Sequence, residues 1–223
     1  MSWKDNFPKE NRYWENEHGI LYCGDCLEIM ENFSSKSIDL VLTDPPYGIN
    51  SDRGVGGGEL AGRRYNDRWD IRPTKEYFDL LLNCGRNVII FGGNFFTDLL
   101  PVGTHWIVWD KSGEIKFNNP YSGAELLWTN FNKNIIKKYI VIQAGFIAEE
   151  KVRFHPTQKP VKLLVMILDD YSIENDIVLD PFLGSGTTAV ACERLNRRWI
   201  GIEINEKYCQ IAVERLRQQT LRL

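Results

Sequence analysis

An α/β fold built on a parallel sheet is predicted by three features of the sequence. Short strand-like runs such as Ile38 to Leu42, Asn87 to Phe91 and Ile177 to Leu179 alternate with stretches carrying apolar residues at helical spacing. A glycine turn, Gly184-x-Gly186-x-x-Ala189, stands between one such run and a helical pattern. An acid, Glu203, then ends the following run about 20 residues on, the context in which backbone approaches a nucleotide and a carboxylate receives ribose hydroxyls.

The 223 residues suit one domain, 1–223, with a sizeable core, and 43% hydrophobic with 12% aromatic content argues against disorder. No apolar run reaches membrane-spanning length and Met1 to Glu10 is polar, so a cytoplasmic protein without a membrane partner is expected. The five cysteines are scattered, as reduced thiols are, and Cys23-x-x-Cys26 lacks the second pair that a zinc site needs. Net charge is −3, but residues 51–75 hold six basic against four acidic side chains and residues 111–155 seven against four. Within the second segment Lys133, Lys137 and Lys138 interleave with Phe131 and Tyr139, a pattern that can follow a phosphate backbone or form a solvated loop.

In chain order, Ile20 to Cys23 reads as a strand, Cys26 to Phe33 as a helix and Ile38 to Leu42 as a second strand. Residues 49–72 carry five glycines and several arginines without usable period, and read as a functional lid or clamp. Thr74 caps a helix with Tyr77, Phe78, Leu81 and Leu82 on one side, followed by the strand to Phe91. A short helix around Phe95 to Leu100 stops at Pro101, and strands follow at His105 to Trp109 and Ala124 to Trp128. Residues 111–122 and 129–153 lie between clear elements and are the candidates for selecting a substrate. Pro160 opens a helix through Leu168, Ile177 to Leu179 leads into the glycine turn and its helix, and Trp199 to Ile202 precedes a last helix capped by Asn205.

The strand at Ile38 delivers Thr43-Asp44-Pro45-Pro46-Tyr47-Gly48. The prolines fix φ and lack N–H donors, so Asp44 and the adjacent carbonyls form a still set of acceptors, which suits an exocyclic amine. Tyr47 offers a face on which an extruded base can stack. In the other half, Asp180 precedes the glycine turn and no basic residue occupies it, which disfavours a pyrophosphate and suits an ammonium group. The turn itself admits either a dinucleotide or S-adenosylmethionine, and these two features favour the latter.

Asp44-Pro45-Pro46-Tyr47, His155-Pro156-Thr157-Gln158-Lys159-Pro160 and Asp180-Pro181-Phe182-x-Gly184-Ser185-Gly186-Thr187-Thr188 stand in that order. Together they resemble the S-adenosylmethionine-dependent DNA amino-methyltransferases of the β, circularly permuted, class, over roughly residues 20 to 215. The resemblance implies a Rossmann-like, seven-stranded methyltransferase sheet with helices on both faces, catalytic half first and cofactor half last. It implies catalysis by Asp44, Pro45, Pro46 and Tyr47 and no metal. Asp180, Phe182, Gly184, Ser185, Gly186 and Thr187 surround the methionine moiety in this likeness, Glu203 takes the ribose and Asp25 the adenine amine. His155, Thr157 and Lys159 lie near the methionine carboxylate. Double-stranded DNA is the implied partner and N6 of adenine the implied target, with cytosine N4, or adenine in RNA, as the alternatives. No separate target-recognition domain is present, only segments within 111–153, so a short site, loose recognition and a homodimer partner's help all stay open. Two other readings are a non-catalytic nucleic-acid-binding relative, whose two sites need not both be intact, and a dinucleotide-dependent oxidoreductase, which leaves Asp44-Pro45-Pro46-Tyr47 unemployed.

Overall fold

The computed structural model of the chain describes residues 2–49, 70–113, 122–143 and 158–220. Its strands are β1 (Arg12–Glu15), β2 (Gly19–Cys23), β3 (Ile38–Thr43), β4 (Gly85–Phe91), β5 (Trp106–Asp110), β6 (Ala124–Thr129), β7 (Ile136–Ile140), β8 (Ile177–Asp180) and β9 (Arg198–Glu203). They form one sheet in the order β1-β2-β9-β8-β3-β4-β6-β5-β7. The α-helices are α1 (Cys26–Met30), α2 (Lys75–Cys84), α3 (Val161–Tyr171), α4 (Thr187–Arg194) and α5 (Glu206–Thr220).

Among the described residues the sheet has nine strands, the seven that the resemblance implies with β1 and β7 added at its two edges. Neither announces itself in sequence, since an edge strand turns part of its surface to water. In β7, Ile-Lys-Lys-Tyr-Ile, only Tyr139 is buried. β1, Arg-Tyr-Trp-Glu, is held by the stacking of Trp14 on Trp199, with ring centroids 6.3 Å apart. Three other expectations shift. The residues after β4 make a 3-10 turn, Gly93–Phe95, in place of the helix from Phe95 to Leu100. Helix α1 ends at Met30 and not Phe33, and Pro160 caps α3 from an extended conformation one residue ahead of it.

Alternation within the strands sorts the core into two layers. Leu21, Ile89, Phe91 and Trp199 face α3, α4 and α5, whereas Tyr22, Val88, Ile90 and Ile202 face α1 and α2. Phe78 of α2 is fully buried in the second layer, where truncation to alanine costs about 3–5 kcal/mol.

The central strands β2, β9, β8, β3 and β4 run parallel, so their carboxyl ends share one rim. From β8 the chain moves outward to β9 and from β3 outward the other way to β4, which makes the β8/β3 neighbourhood the switch point where an open sheet holds its ligand. The amino rim is closed by side chains. Lys36 Nζ donates to the carbonyls of Leu82 and Gly85 at 2.7 and 2.8 Å, and Arg197 donates to Ser172 Oγ and O at 3.1 and 2.9 Å. Asp39 accepts the Ile177 N–H at 2.9 Å.

Candidate active site

Asp44 leaves the end of β3 at the switch point and is held by two side chains. Tyr47 Oη donates to its Oδ1 at 2.7 Å, and the Lys159 ammonium pairs with Oδ2. Lys159 also lies 3.6 Å from Glu125 Oε2 on β6, and Lys111 Nζ donates to Glu125 Oε1 at 2.6 Å. The result is a line of alternating charge: Asp44, Lys159, Glu125, Lys111. Burial pushes the Asp44 carboxyl up and outweighs the pull of Lys159. Burial alone would lower the Lys159 ammonium, but Asp44 and Glu125 more than offset it and raise its pKa, so it stays charged. Burial would raise Glu125 too, yet Lys159 and Lys111 hold it below its usual range.

The Tyr47 ring is fixed on three sides. It stacks on Phe95 with centroids 4.8 Å apart and planes at 17°, meets Phe96 edge-on, and rests on the backbone at Gly92. Gly92 has φ +65°, and a Cβ there would come within 2.3 Å of the ring. One face of Tyr47 is therefore taken by Phe95, itself partly exposed, and not free for a base as the sequence suggests.

The second half of the site follows β8. Asp180 accepts from Thr188 Oγ1 at 2.6 Å and from the Phe182 N–H at 3.1 Å, while burial raises its carboxyl to about 6. Gly184, at φ +55°, has nothing within 4 Å of where a Cβ would stand, so its outer side is open to a ligand. Gly186 has φ +84° and begins α4, where a Cβ would come 2.8 Å from Ala212 of α5. Ser185 and Thr187 are tied to that helix through Arg215, whose Nη1 donates to Ser185 O at 2.6 Å, Ser185 Oγ at 3.0 Å and Thr187 Oγ1 at 3.2 Å. Glu203 accepts backbone N–H groups on both oxygens, from Gly184 at 2.9 Å and Asn205 at 2.8 Å.

Between the ends of β2 and β9 lies a cavity of about 240 Å³, bounded by Asp25, Leu27, Tyr77, Phe182, Glu203 and Ile204 among others. Its composition suits a nucleoside: apolar and aromatic walls for a flat ring, with carboxylates at the edge for amine and hydroxyl donors. Asp25 caps α1 through Leu27 N–H at 2.7 Å, which leaves its second oxygen available. Tyr77 Oη is buried with no hydrogen-bond partner, and so is Thr43 Oγ1. An orphaned hydroxyl on a cavity wall is the kind of group a ligand satisfies.

Of the expected site residues, the structure gathers Asp44, Pro45, Pro46 and Tyr47 at the end of β3, and Asp180, Phe182, Gly184, Ser185, Gly186, Thr187, Glu203 and Asp25 along the neighbouring ends. His155 and Thr157 lie outside the described residues, as do 50–69 of the glycine-rich segment and 114–121 and 144–153 of the substrate-selecting segments. Lys159 is seated on Asp44, whereas the resemblance placed it near the methionine carboxylate. Its neighbour Gln158 accepts from Ser185 Oγ at 3.3 Å, so two consecutive residues touch the two halves. Sequence reasoning missed Glu125, Lys111, Tyr77, Thr188 and Arg215. Glu125 left a trace, an acid within the apolar strand Ala-Glu-Leu-Leu-Trp-Thr. The lysine cluster is largely spent on partners: Lys137 pairs with Asp170 at 2.5 Å, Lys138 with Asp110 at 2.7 Å, and Lys133 stands over Phe131.

Known proteins agree with this geometry. Residues 127–214 match the N6/N4 methyltransferase family model, described as DNA methylase. The chain is 30% identical to the type II methyltransferase M.HpaI of Haemophilus parainfluenzae, covering 88% of this chain and 73% of that protein. It is also 30% identical to the putative methylase YubD of Escherichia coli K12, over 86% and 88%. Among solved structures, the S-adenosylmethionine complex of M1.HpyAVI aligns with TM-score 0.56 and 30% identity over 87% of this chain and 98% of that one. The cytosine-N4-specific PvuII DNA methyltransferase shares the fold, with TM-score 0.64 at 18% identity over 92% and 88%. With motif order, rim geometry and 30%-identical relatives in agreement, the chain belongs to the N6/N4 family of DNA amino-methyltransferases.

Proposed function

We propose that the protein, acting as one domain, transfers a methyl group from S-adenosylmethionine to the N6 amine of adenine in double-stranded DNA. The observation that carries this reading is the Asp44 carboxylate, half-buried at the switch point beside the open glycine turn and the nucleoside-sized cavity. Bound there, S-adenosylmethionine supplies an electrophilic methyl whose carbon–sulfur bond breaks as the amine's carbon–nitrogen bond forms, leaving a neutral thioether. Glu203 takes the ribose hydroxyls on its remaining lone pairs, Asp25 the adenine amine and Asp180 the ammonium, with Phe182, Gly184, Ser185, Gly186 and Thr187 shaping the cradle.

An exocyclic amine is a poor nucleophile because its lone pair is delocalised into the ring. Asp44 and the Pro45 carbonyl each accept one N–H, which localises that pair, and preorganised acceptors of this kind act without reorganising in the transition state. The nitrogen then sheds one proton, and Asp44, its carboxyl raised by burial, is the adjacent acceptor. The purine has to leave the duplex at a cost of a few kcal/mol. The Tyr47–Phe95 stack at the mouth supplies aromatic surface that offsets part of it. Residues within 111–153 are proposed to choose the sequence context.

Adenine is preferred to cytosine because the donor motif begins with Asp44, and DNA to RNA on family membership. The test is to methylate duplex DNA with labelled cofactor and resolve the nucleosides. Label in N6-methyladenine is expected, and label in N4-methylcytosine, or only when RNA is supplied, overturns the assignment.

A further inference from the structure

Both oxygens of Asp44 already receive donors, Tyr47 on Oδ1 and Lys159 on Oδ2. Each oxygen keeps a further lone pair, but a target amine has to share the carboxylate with the ammonium on Oδ2. Next to that ammonium, Glu125 Oε2 is buried, accepts no hydrogen bond and is ion-paired with Lys159 Nζ at 3.6 Å, short of hydrogen-bond contact. Lys111 fixes the other oxygen of Glu125, so the empty acceptor is held in place.

We propose that Glu125 is a positioning residue that offers the Lys159 ammonium a second seat, so that Lys159 moves from Asp44 to Glu125 when the target amine arrives. The displacement needed is under about 1 Å, within the freedom of a lysine tip, and it trades one charge-assisted hydrogen bond for another. The groups facing Lys159 are Asp44 and Tyr47 from the end of β3, Glu125 from β6 and the Phe91 ring from β4, with Lys111 one step behind. The inference rests on the reading of Asp44 as acceptor for the amine.

Glu125→Gln removes the charged seat and leaves Lys159 on Asp44. Turnover with duplex DNA is expected to fall about tenfold or more, as for loss of a preorganised electrostatic partner. Cofactor affinity by calorimetry and KM for DNA should stay within about twofold, since neither ligand's ground-state contacts are touched. Because Glu125 acts through Lys159, the same substitution in a Lys159→Met background should change turnover less than about twofold. Equal losses in both backgrounds mean ordinary structural support and overturn the proposal. Glu125→Asp, which keeps the charge but withdraws the oxygen, runs the same cycle should the glutamine variant not fold. A wild type inactive on DNA sinks the functional reading and this inference with it, whereas an active wild type with additive variants sinks this inference alone.

Discussion

Replacing Glu203 by alanine should weaken the fold and the cofactor site together, because the same carboxylate serves both. Its oxygens accept the Gly184 and Asn205 N–H groups at 2.9 and 2.8 Å, and both are orphaned by the substitution. Gly184 and Asn205 are only half-buried, so water partly replaces the acceptor and the lower end of the range applies, about 1 kcal/mol for each. A total of about 2 kcal/mol in a domain of this size corresponds to a drop of roughly 4–8 °C in melting temperature. Burial raises the Glu203 carboxyl, so its stabilisation is fully present in acid and is lost as pH rises through the raised value. The wild type should show that decline and the alanine variant should lack it. Cofactor binding should weaken by about 1–3 kcal/mol from unpaired ribose hydroxyls. Scanning calorimetry of the free protein and titration calorimetry with S-adenosylmethionine read the two effects separately. An unchanged melting temperature, or an affinity within twofold of the wild type, would refute the double role.

Three further outcomes are expected. Tyr77→Phe should weaken S-adenosylmethionine binding by about 0.5–1.5 kcal/mol with no loss of stability, since the hydroxyl has no partner in the free protein, and titration calorimetry with thermal melts checks both. Asp180, with its carboxyl raised to about 6, should lose its pull on the cofactor ammonium below that pH, weakening binding by about tenfold per unit further down, and a flat affinity profile there would contradict its role. Lys137→Ala with Lys138→Ala should lower the slope of log DNA affinity against log salt by well under the roughly one unit per contact expected of free lysines, because Asp170 and Asp110 already neutralise them.

The sequence made the central sheet and the two motif-bearing strand ends legible because buried parallel strands are continuous apolar runs and glycine turns are punctuated. It did not reveal β1 or β7, whose outward residues follow solvent and carry no run such as Ile177 to Leu179. Asp180 and Glu203 were readable because each directly ends an apolar run, and Asp44 because it follows one after a single threonine. Glu125 was not, because its meaning depends on Lys111 and Lys159, brought to it by pairing of β5 with β6 and by the turn before α3. The stacking role assigned to Tyr47 missed Phe95 for the same reason. Residues far apart in the chain share that wall, and no local period records it.

The two rims of the sheet divide the selective pressures on the chain. Along the amino rim Lys36, Asp39, Ser172 and Arg197 lock turn to turn through hydrogen bonds, whereas along the carboxyl rim Thr43, Tyr77 and Glu125 each keep a buried polar atom without a hydrogen bond. Substitutions on the first rim register as shelf life and expression yield, and those on the second as turnover and choice of target. A mutational library confined to the amino-rim turns can therefore be screened for hardiness alone, because its winners keep the chemistry they started with.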